Sequence, residues 1–322
     1  MASQRDVRNR IDAVKNIQKI TRAMEMVAAA RLRRAEQRIE VLRPYADALR
    51  RMTRQAALDA GAEAQRLALL SERESTSTIG LLLVTGDRGL AGGFNSQIIR
   101  TGIRAGAEIQ ERGQRAAWFA TGRRGVSSLT FRGRELSGSY TGFADKPSYG
   151  DARAIADEVI EAYTSGAVDR VEIVYNSYVS PLTQTVTRET LLPLSRATIL
   201  DEEAGGQAGA GDEADADGRS GSRAAVRPGG EERSGPKALV EYEPEAEKIL
   251  EQLVPDYVVT SIYRALVESA AGFFGAQMTA MRNASENAGE IITDLTLEMN
   301  RARQAEITQE IMEVVAGAEG LS

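Results

Sequence analysis

Cysteine and histidine are both absent from the 322 residues, and together these absences remove disulfides, thiol nucleophiles, histidine general bases and the commonest zinc ligands. Aromatic residues make up only 5%, and Trp118 is the single tryptophan, a composition that suits elongated helices better than one thick core. No run of eighteen apolar residues occurs and the N-terminus carries no apolar signal segment, so the chain is expected neither to span a membrane nor to be exported. A location on the cytoplasmic side is the expectation. Adjacent carboxylates do occur, at Asp157-Glu158 and Glu202-Glu203. The first falls on an amphipathic helical pattern and the second in a Gly/Ala-rich stretch, and neither has the desolvating pocket that separates the pKa values of an acid/base pair. No catalytic residue, cofactor site or metal site is expected.

Proline is missing from residues 257–315, where Ile262, Leu266, Ala270, Phe273, Ala280, Ala284, Ala288, Ile291, Leu295 and Ala302 recur mostly at steps of three and four. A helix of that length would reach about 90 Å at about 1.5 Å per residue, several times the width of any domain this chain could build. It must project beyond its own core. Its middle is rich in alanine, which lets a second helix approach closely but buries little area per residue. The N-terminal residues 5–60 supply a second helical pattern, running through Ile11, Val14, Ile17, Ile20, Met24, Val27, Leu32, Ala35 and Ile39, with Pro44 the only interruption. Basic residues outnumber acidic ones there by about two to one. Such a helix suits a nucleic acid, an anionic membrane surface, an acidic protein partner or merely a solvated face.

Between these helices the texture changes. Residues 79–84, 116–120 and 170–175 read as buried strands, residues 94–111 and 151–163 as helices, and residues 183–191 alternate as a half-exposed strand would. Alternating strands and helices predict a small, Rossmann-like α/β domain over residues 75–200. Residues 201–236 are dominated by Gly, Ala, Asp, Glu and Ser and offer almost nothing to bury, so a disordered acidic insertion is expected. Residues 239–242 read as a short edge strand that opens the C-terminal unit, residues 237–322. The expected fold is thus α/β, with a long antiparallel coiled coil of the N-terminal helix (residues 1–60) and the C-terminal helix. The stripes on the two helices put Met24 and Val27 against residues 291–305.

The loop from Thr85 to Asn95 follows a strand and precedes a helix, where a phosphate cradle would lie. Its spacing fits neither the dinucleotide fingerprint nor the P-loop, since no Gly-Lys-Ser/Thr closes it. Gly86, Asp87, Gly89, Gly92 and Gly93 are therefore read as a tight structural turn that needs positive φ.

Four segments carry a family resemblance: residues 17–29 (IQKITRAMEMVAA), residues 43–45 (RPY), residues 86–95 (GDRGLAGGFN) and residues 300–311 (NRARQAEITQEI). They closely resemble the gamma subunit of F-type ATP synthase, in the right order and across both ends and the middle. The resemblance implies a central stalk, a rotor that turns inside a ring of alpha and beta subunits. It is not itself catalytic, binds no nucleotide or nucleic acid, and couples ion flow to ATP synthesis. It also implies an epsilon subunit and a membrane ring of c subunits beneath the α/β domain, with the chain peripheral to the cytoplasmic face of a bacterial membrane. By the same resemblance Met24 lies near an acidic lever of the beta subunits, and Arg303, Gln304 and Thr308 match the stretch that grips those subunits. The chain departs from the pattern at Ala91, where many members carry cysteine, at residues 273–277, and in the insertion 201–236. Because that insertion contains no cysteine pair, thiol-regulated inhibition is excluded.

Two rival classes rest on single features. A nucleotide-binding enzyme rests on the glycine-rich loop and predicts ATP binding by the isolated chain. A nucleic-acid-binding coiled coil rests on the basic N-terminal helix and predicts steeply salt-dependent DNA binding. Co-purification with stoichiometric alpha and beta subunits discriminates all three.

Overall fold

The computed structural model describes residues 4–61, 66–71, 73, 75–181, 183–194 and 245–319. Helix α1 spans Gln4–Ala60, and the other long helix, α5, spans Ala246–Glu319. α5 begins just after Pro244, eleven residues before the proline-free stretch that starts at 257, and runs through Pro255, just as α1 runs through Pro44. An interior proline costs roughly 3 kcal/mol. Packing offsets that cost here, because Val254, Tyr257 and Val258 around Pro255 are buried in the core.

Between the helices lie β1 (Thr78–Val84), α2 (Phe94–Glu111), β2 (Arg115–Thr121), α3 (Arg123–Phe131), β3 (Leu136–Tyr140), α4 (Tyr149–Thr164), β4 (Arg170–Tyr178) and β5 (Gln184–Leu192). The five strands form one sheet in the order β3-β2-β1-β4-β5. β1 to β4 are parallel, and β5 joins β4 antiparallel at the edge. Every residue of the central β1 is buried, as a parallel strand covered on both faces requires. Alternation divides its side chains between two cores. Leu82 and Val84 face Ile155, Val159 and Tyr163 of α4 together with Leu250, Val258 and Ile262 of α5. Leu81 and Leu83 face Ile98 and Ile109 of α2 and Trp118, a core completed by Leu32, Ala35 and Ile39 of α1 and by Phe273 and Phe274 of α5. The roots of both long helices are thereby built into the domain.

Two elements were not legible in the sequence, α3 and β3. α3 is nine residues long and contains Gly125, Ser127, Ser128 and Thr130, all weak helix formers. β3 is Leu-Ser-Gly-Ser-Tyr, which lacks the β-branched run that marks a strand. α4 starts at Tyr149 rather than 151 because Ser148 caps it. The Ser148 hydroxyl accepts from the Asp151 amide at 3.2 Å, and the Asp151 carboxylate accepts from the Ser148 amide at 2.8 Å. The insertion 201–236 and the short strand at 239–242 lie outside the described residues.

Candidate functional site

α1 and α5 pair antiparallel, and their contacts fix the register. Gln18 Nε2 donates to the Ser285 carbonyl at 3.2 Å, and Arg282 Nε pairs with Glu25 Oε1 at 2.9 Å. The expected packing of Met24 and Val27 against residues 291–305 is therefore wrong: these residues stand level with the turns around Arg282. A strict heptad count explains the error. The seam of α1 runs Val7, Ile11, Val14, Gln18, Thr21, Glu25, Ala28, Leu32, Ala35 and Ile39, all buried or half-buried. In its middle the seam is polar. Ile17, Ile20, Met24 and Val27 sit one residue out of step, about 100° round the helix. Ile17, Ile20 and Val27 remain 54%, 59% and 52% exposed, while Met24 is half-buried. Over these three turns the usual arrangement is inverted, with polar groups between the helices and apolar groups outside. α5 matches this with Met281, Ser285 and Ala288 on its side of the seam, and Gly289 lets Gln18 lie close.

Continuing the same register brings Val7 level with Leu295 and Thr296, so α5 outruns its partner near residue 300. From Arg303 to Met312 every side chain is exposed. Arg303, Gln304 and Thr308 lie on this single-helix tip, where the Thr308 hydroxyl donates to the Gln304 carbonyl at 2.8 Å. Ile307, Ile311 and Val314, spaced four and three apart, form an exposed apolar stripe beside them. The structure does not bring Met24 together with this group. Some twenty-two residues of α5 separate the level of Met24 from Arg303, roughly 33 Å along the shaft at 1.5 Å per residue.

The glycine-rich loop lies at the other end of the shaft, at the carboxyl edge of the sheet. In an open sheet of this strand order, ligands bind in the crevice between β1 and β4, where the order reverses. Here the crevice is filled from within. The Asp87 carboxylate accepts from the amides of Arg123, at the start of α3, at 3.0 Å, and of Gly142 and Ala144, in the loop after β3, at 3.0 and 3.1 Å, so it takes up donors that an anion would use. The Phe273 ring closes over Gly86, where an added Cβ would stand 3.0 Å from it. What remains between Thr85, Phe94, Asp145 and Phe273 is a cavity of about 10 Å³, far below the volume of a nucleotide. The Gly86 amide donates to Asn95 Oδ1 at 2.8 Å, and Asn95 Nδ2 returns a bond to the Arg88 carbonyl at 3.0 Å. Positive φ occurs at Gly92 (53°) and at Leu90 (65°); Gly86, Asp87, Gly89 and Gly93 do not adopt it. At Gly86 the requirement is close approach of an aromatic ring rather than backbone conformation.

A larger open groove of about 750 Å³ lies between α1, α4 and α5, lined by Arg34, Arg38, Val41, Tyr45, Tyr149 and Tyr263. Among the described residues no group of three or more Asp, Glu, His or Cys is placed to hold a metal ion. Burial and the neighbouring Glu36 carboxylate push the Tyr178 hydroxyl well above its ordinary pKa, and burial and Glu158 do the same at Tyr140, so both act as neutral donors. Sequence reasoning took Thr85 only as the first residue of the loop and missed Gly122, Asp145 and Tyr178; each ties loops or helices together. For Gly122 a signal was present, since Thr121-Gly122 closes a strand as Thr85-Gly86 does.

Comparison with known proteins places this architecture. The ATP synthase family profile matches residues 3–321. An ATP synthase gamma chain from Rubrobacter xylanophilus is 38% identical over 325 residues, covering 100% of this chain and 99% of that one. Another from Desulforamulus reducens is 40% identical over 322 residues and covers both chains completely. Among solved structures, a chain of the central stalk and c-ring of the Tetrahymena thermophila mitochondrial ATP synthase aligns with a TM-score of 0.55 at 24% identity, over 83% of this chain and 99% of that one. A chain of the rotor of the Euglena gracilis mitochondrial enzyme aligns with a TM-score of 0.58 at 17% identity, over 94% and 98%.

Proposed function

The chain belongs to the ATP synthase gamma-chain family, and from that premise we propose how its shaft engages the catalytic head. As a gamma subunit it is a non-catalytic component of the central stalk. The observation that carries the reading is the inversion on α1: Ile17, Ile20, Met24 and Val27 face outward where the seam behind them is polar. Burying an aliphatic side chain is worth about 1.5–3 kcal/mol, so a contiguous stripe held outside the seam gains that stabilisation only against a partner. The partner is the ring of alpha and beta subunits, with the tip bearing Arg303, Gln304 and Thr308 seated deeper in the same ring. The α/β domain, at the root of the shaft, meets the epsilon subunit and the c-ring at the cytoplasmic face of a bacterial membrane. No described helix is long and apolar enough to cross that membrane.

Within this reading Met24 supplies bulk without charge. A neutral thioether between Lys19, Arg22 and the acidic lever of a beta subunit slides past each of the three subunits without a lasting ion pair. Met24→Lys tests the idea. An added surface ion pair of about 1 kcal/mol in one rotary position slows escape roughly fivefold. ATP hydrolysis is expected to survive in the assembled complex while ATP-driven ion pumping falls. Equal loss of both activities, or loss of neither, counts against the reading.

A further inference from the structure

We propose that Tyr178 and Asp145 form a two-sided clamp on α1, through which torque passes between the α/β domain and the shaft. The proposal rests on the rotor reading above. Much of the packing between α1 and the rest of the chain is apolar, at Leu32, Ala35, Ile39, Leu49 and Ala56. Apolar contact is non-directional, so it holds a helix in place without singling out a group that bears a twist about the helix axis. Hydrogen bonds and ion pairs are directional, and two of them join α1 to the domain within about a turn and a half of each other.

On one side the Tyr178 hydroxyl, at the end of β4, donates to Glu36 Oε1 at 2.5 Å. The same strand end holds α5, because the Ser177 hydroxyl and the Tyr178 amide both donate to Glu268 Oε2, at 3.0 and 3.4 Å. On the other side Asp145, in the loop between β3 and α4, pairs with Arg31 Nη1 at 3.4 Å and with Arg88 Nε at 3.6 Å. The Arg31 guanidinium also stands 5.7 Å from the centre of the Phe274 ring on α5, so it is held between the domain and the second helix. Arg31 and Glu36 are five positions apart, about 140° round α1. Turning α1 in either direction therefore stretches one grip or the other. Beyond this level, towards the tip, Glu25 and Arg282 tie α1 to α5 within the shaft itself. The clamp is thus where load on the domain enters both helices rather than α5 alone.

The test uses the assembled complex with the catalytic head fixed and a probe on the c-ring. Tyr178→Phe keeps shape and burial while removing the first grip, Asp145→Asn strips the second of its charge, and Glu36→Gln weakens the first grip from the other side. A Glu108→Gln control breaks the 2.6 Å ion pair with Arg188 inside the domain without touching the shaft. We expect the Tyr178→Phe/Asp145→Asn pair to about double the variance of the rotor angle at a catalytic dwell, more than the two single changes combined. Unloaded ATP hydrolysis stays near the wild-type rate, and the largest ion gradient the complex can sustain falls. Unchanged variance in the double variant, or an equal rise in the Glu108→Gln control, overturns the clamp. A wild-type complex whose shaft does not turn overturns the rotor reading itself, and the clamp with it.

Discussion

At Gly122 the backbone holds φ at 80°, and an added Cβ would stand 2.1 Å from the Thr85 carbonyl oxygen. Both constraints are backbone constraints that no rotamer change can relieve. Gly122→Ala is expected to cost at least about 2 kcal/mol, read as a lowered midpoint in urea unfolding of the isolated chain. Gly86→Ala meets the Phe273 ring rather than backbone, and a ring can shift, so its cost should be the smaller of the two. Asp169 is a different kind of anchor. Burial pushes its carboxyl up, but amide donations from Thr78 and Ser77, the Ser77 hydroxyl and the Arg73 guanidinium together outweigh burial and hold it below the ordinary carboxylate value. A depressed folded-state pKa contributes stability that is present above the unfolded pKa and is lost as pH falls through the folded one. Asp169→Asn should therefore cost about 1–3 kcal/mol at neutral pH. The gap should close as acid protonates the wild-type carboxyl. A gap that persists undiminished in acid would show that the charge is not what anchors β1.

The pairing of the long helices is the feature of the elements most open to a direct test, because the chain has no cysteine of its own to interfere. Gln18→Cys with Ser285→Cys should crosslink under mild oxidation, whereas Val27→Cys with Leu295→Cys should not. The reverse result would restore the register that the apolar stripes suggested. Those stripes misled for a physical reason. Ile17, Ile20, Met24 and Val27 look like seam residues because they continue the apolar spacing of Ile11 and Val14, yet heptads counted from Val7 land on Gln18, Thr21 and Glu25. Evolution of a partner surface and of a helix seam leave similar local patterns, and they separate only when the count is carried through several turns. Both long helices, the buried β1 and the half-exposed β5 were legible, although the burial of β5 does not alternate as its sequence suggested. α3 and β3 were not, since short elements can be held in place by contacts made elsewhere. The same holds for the crevice: nothing in the spacing of Gly86, Asp87 and Gly89 announces that Asp87 gathers amides from residues 36 to 57 positions away.

For the whole molecule, the consequence of pairing a helix of 57 residues with one of 74 is an end of α5 that outruns α1, and the last prediction concerns it. Seventeen residues from Arg303 to Glu319 extend about 25 Å beyond the paired shaft. An isolated helix of that length is marginal in water, since few hydrogen bonds offset a costly nucleus. Amides of residues 303–319 are therefore expected to exchange quickly in the isolated chain and to become protected on assembly. There Ile307, Ile311 and Val314 bury their stripe, each contributing up to about 1.5–3 kcal/mol. Deleting residues 303–322 should leave the Tm of the isolated chain unchanged, because no described residue of this end belongs to either core. The same deletion should weaken association with the alpha and beta ring. If the amides stay unprotected in the complex and the truncated chain binds as tightly as the full one, the tip is not a seat in the head, and engagement rests on the outward stripe around Met24.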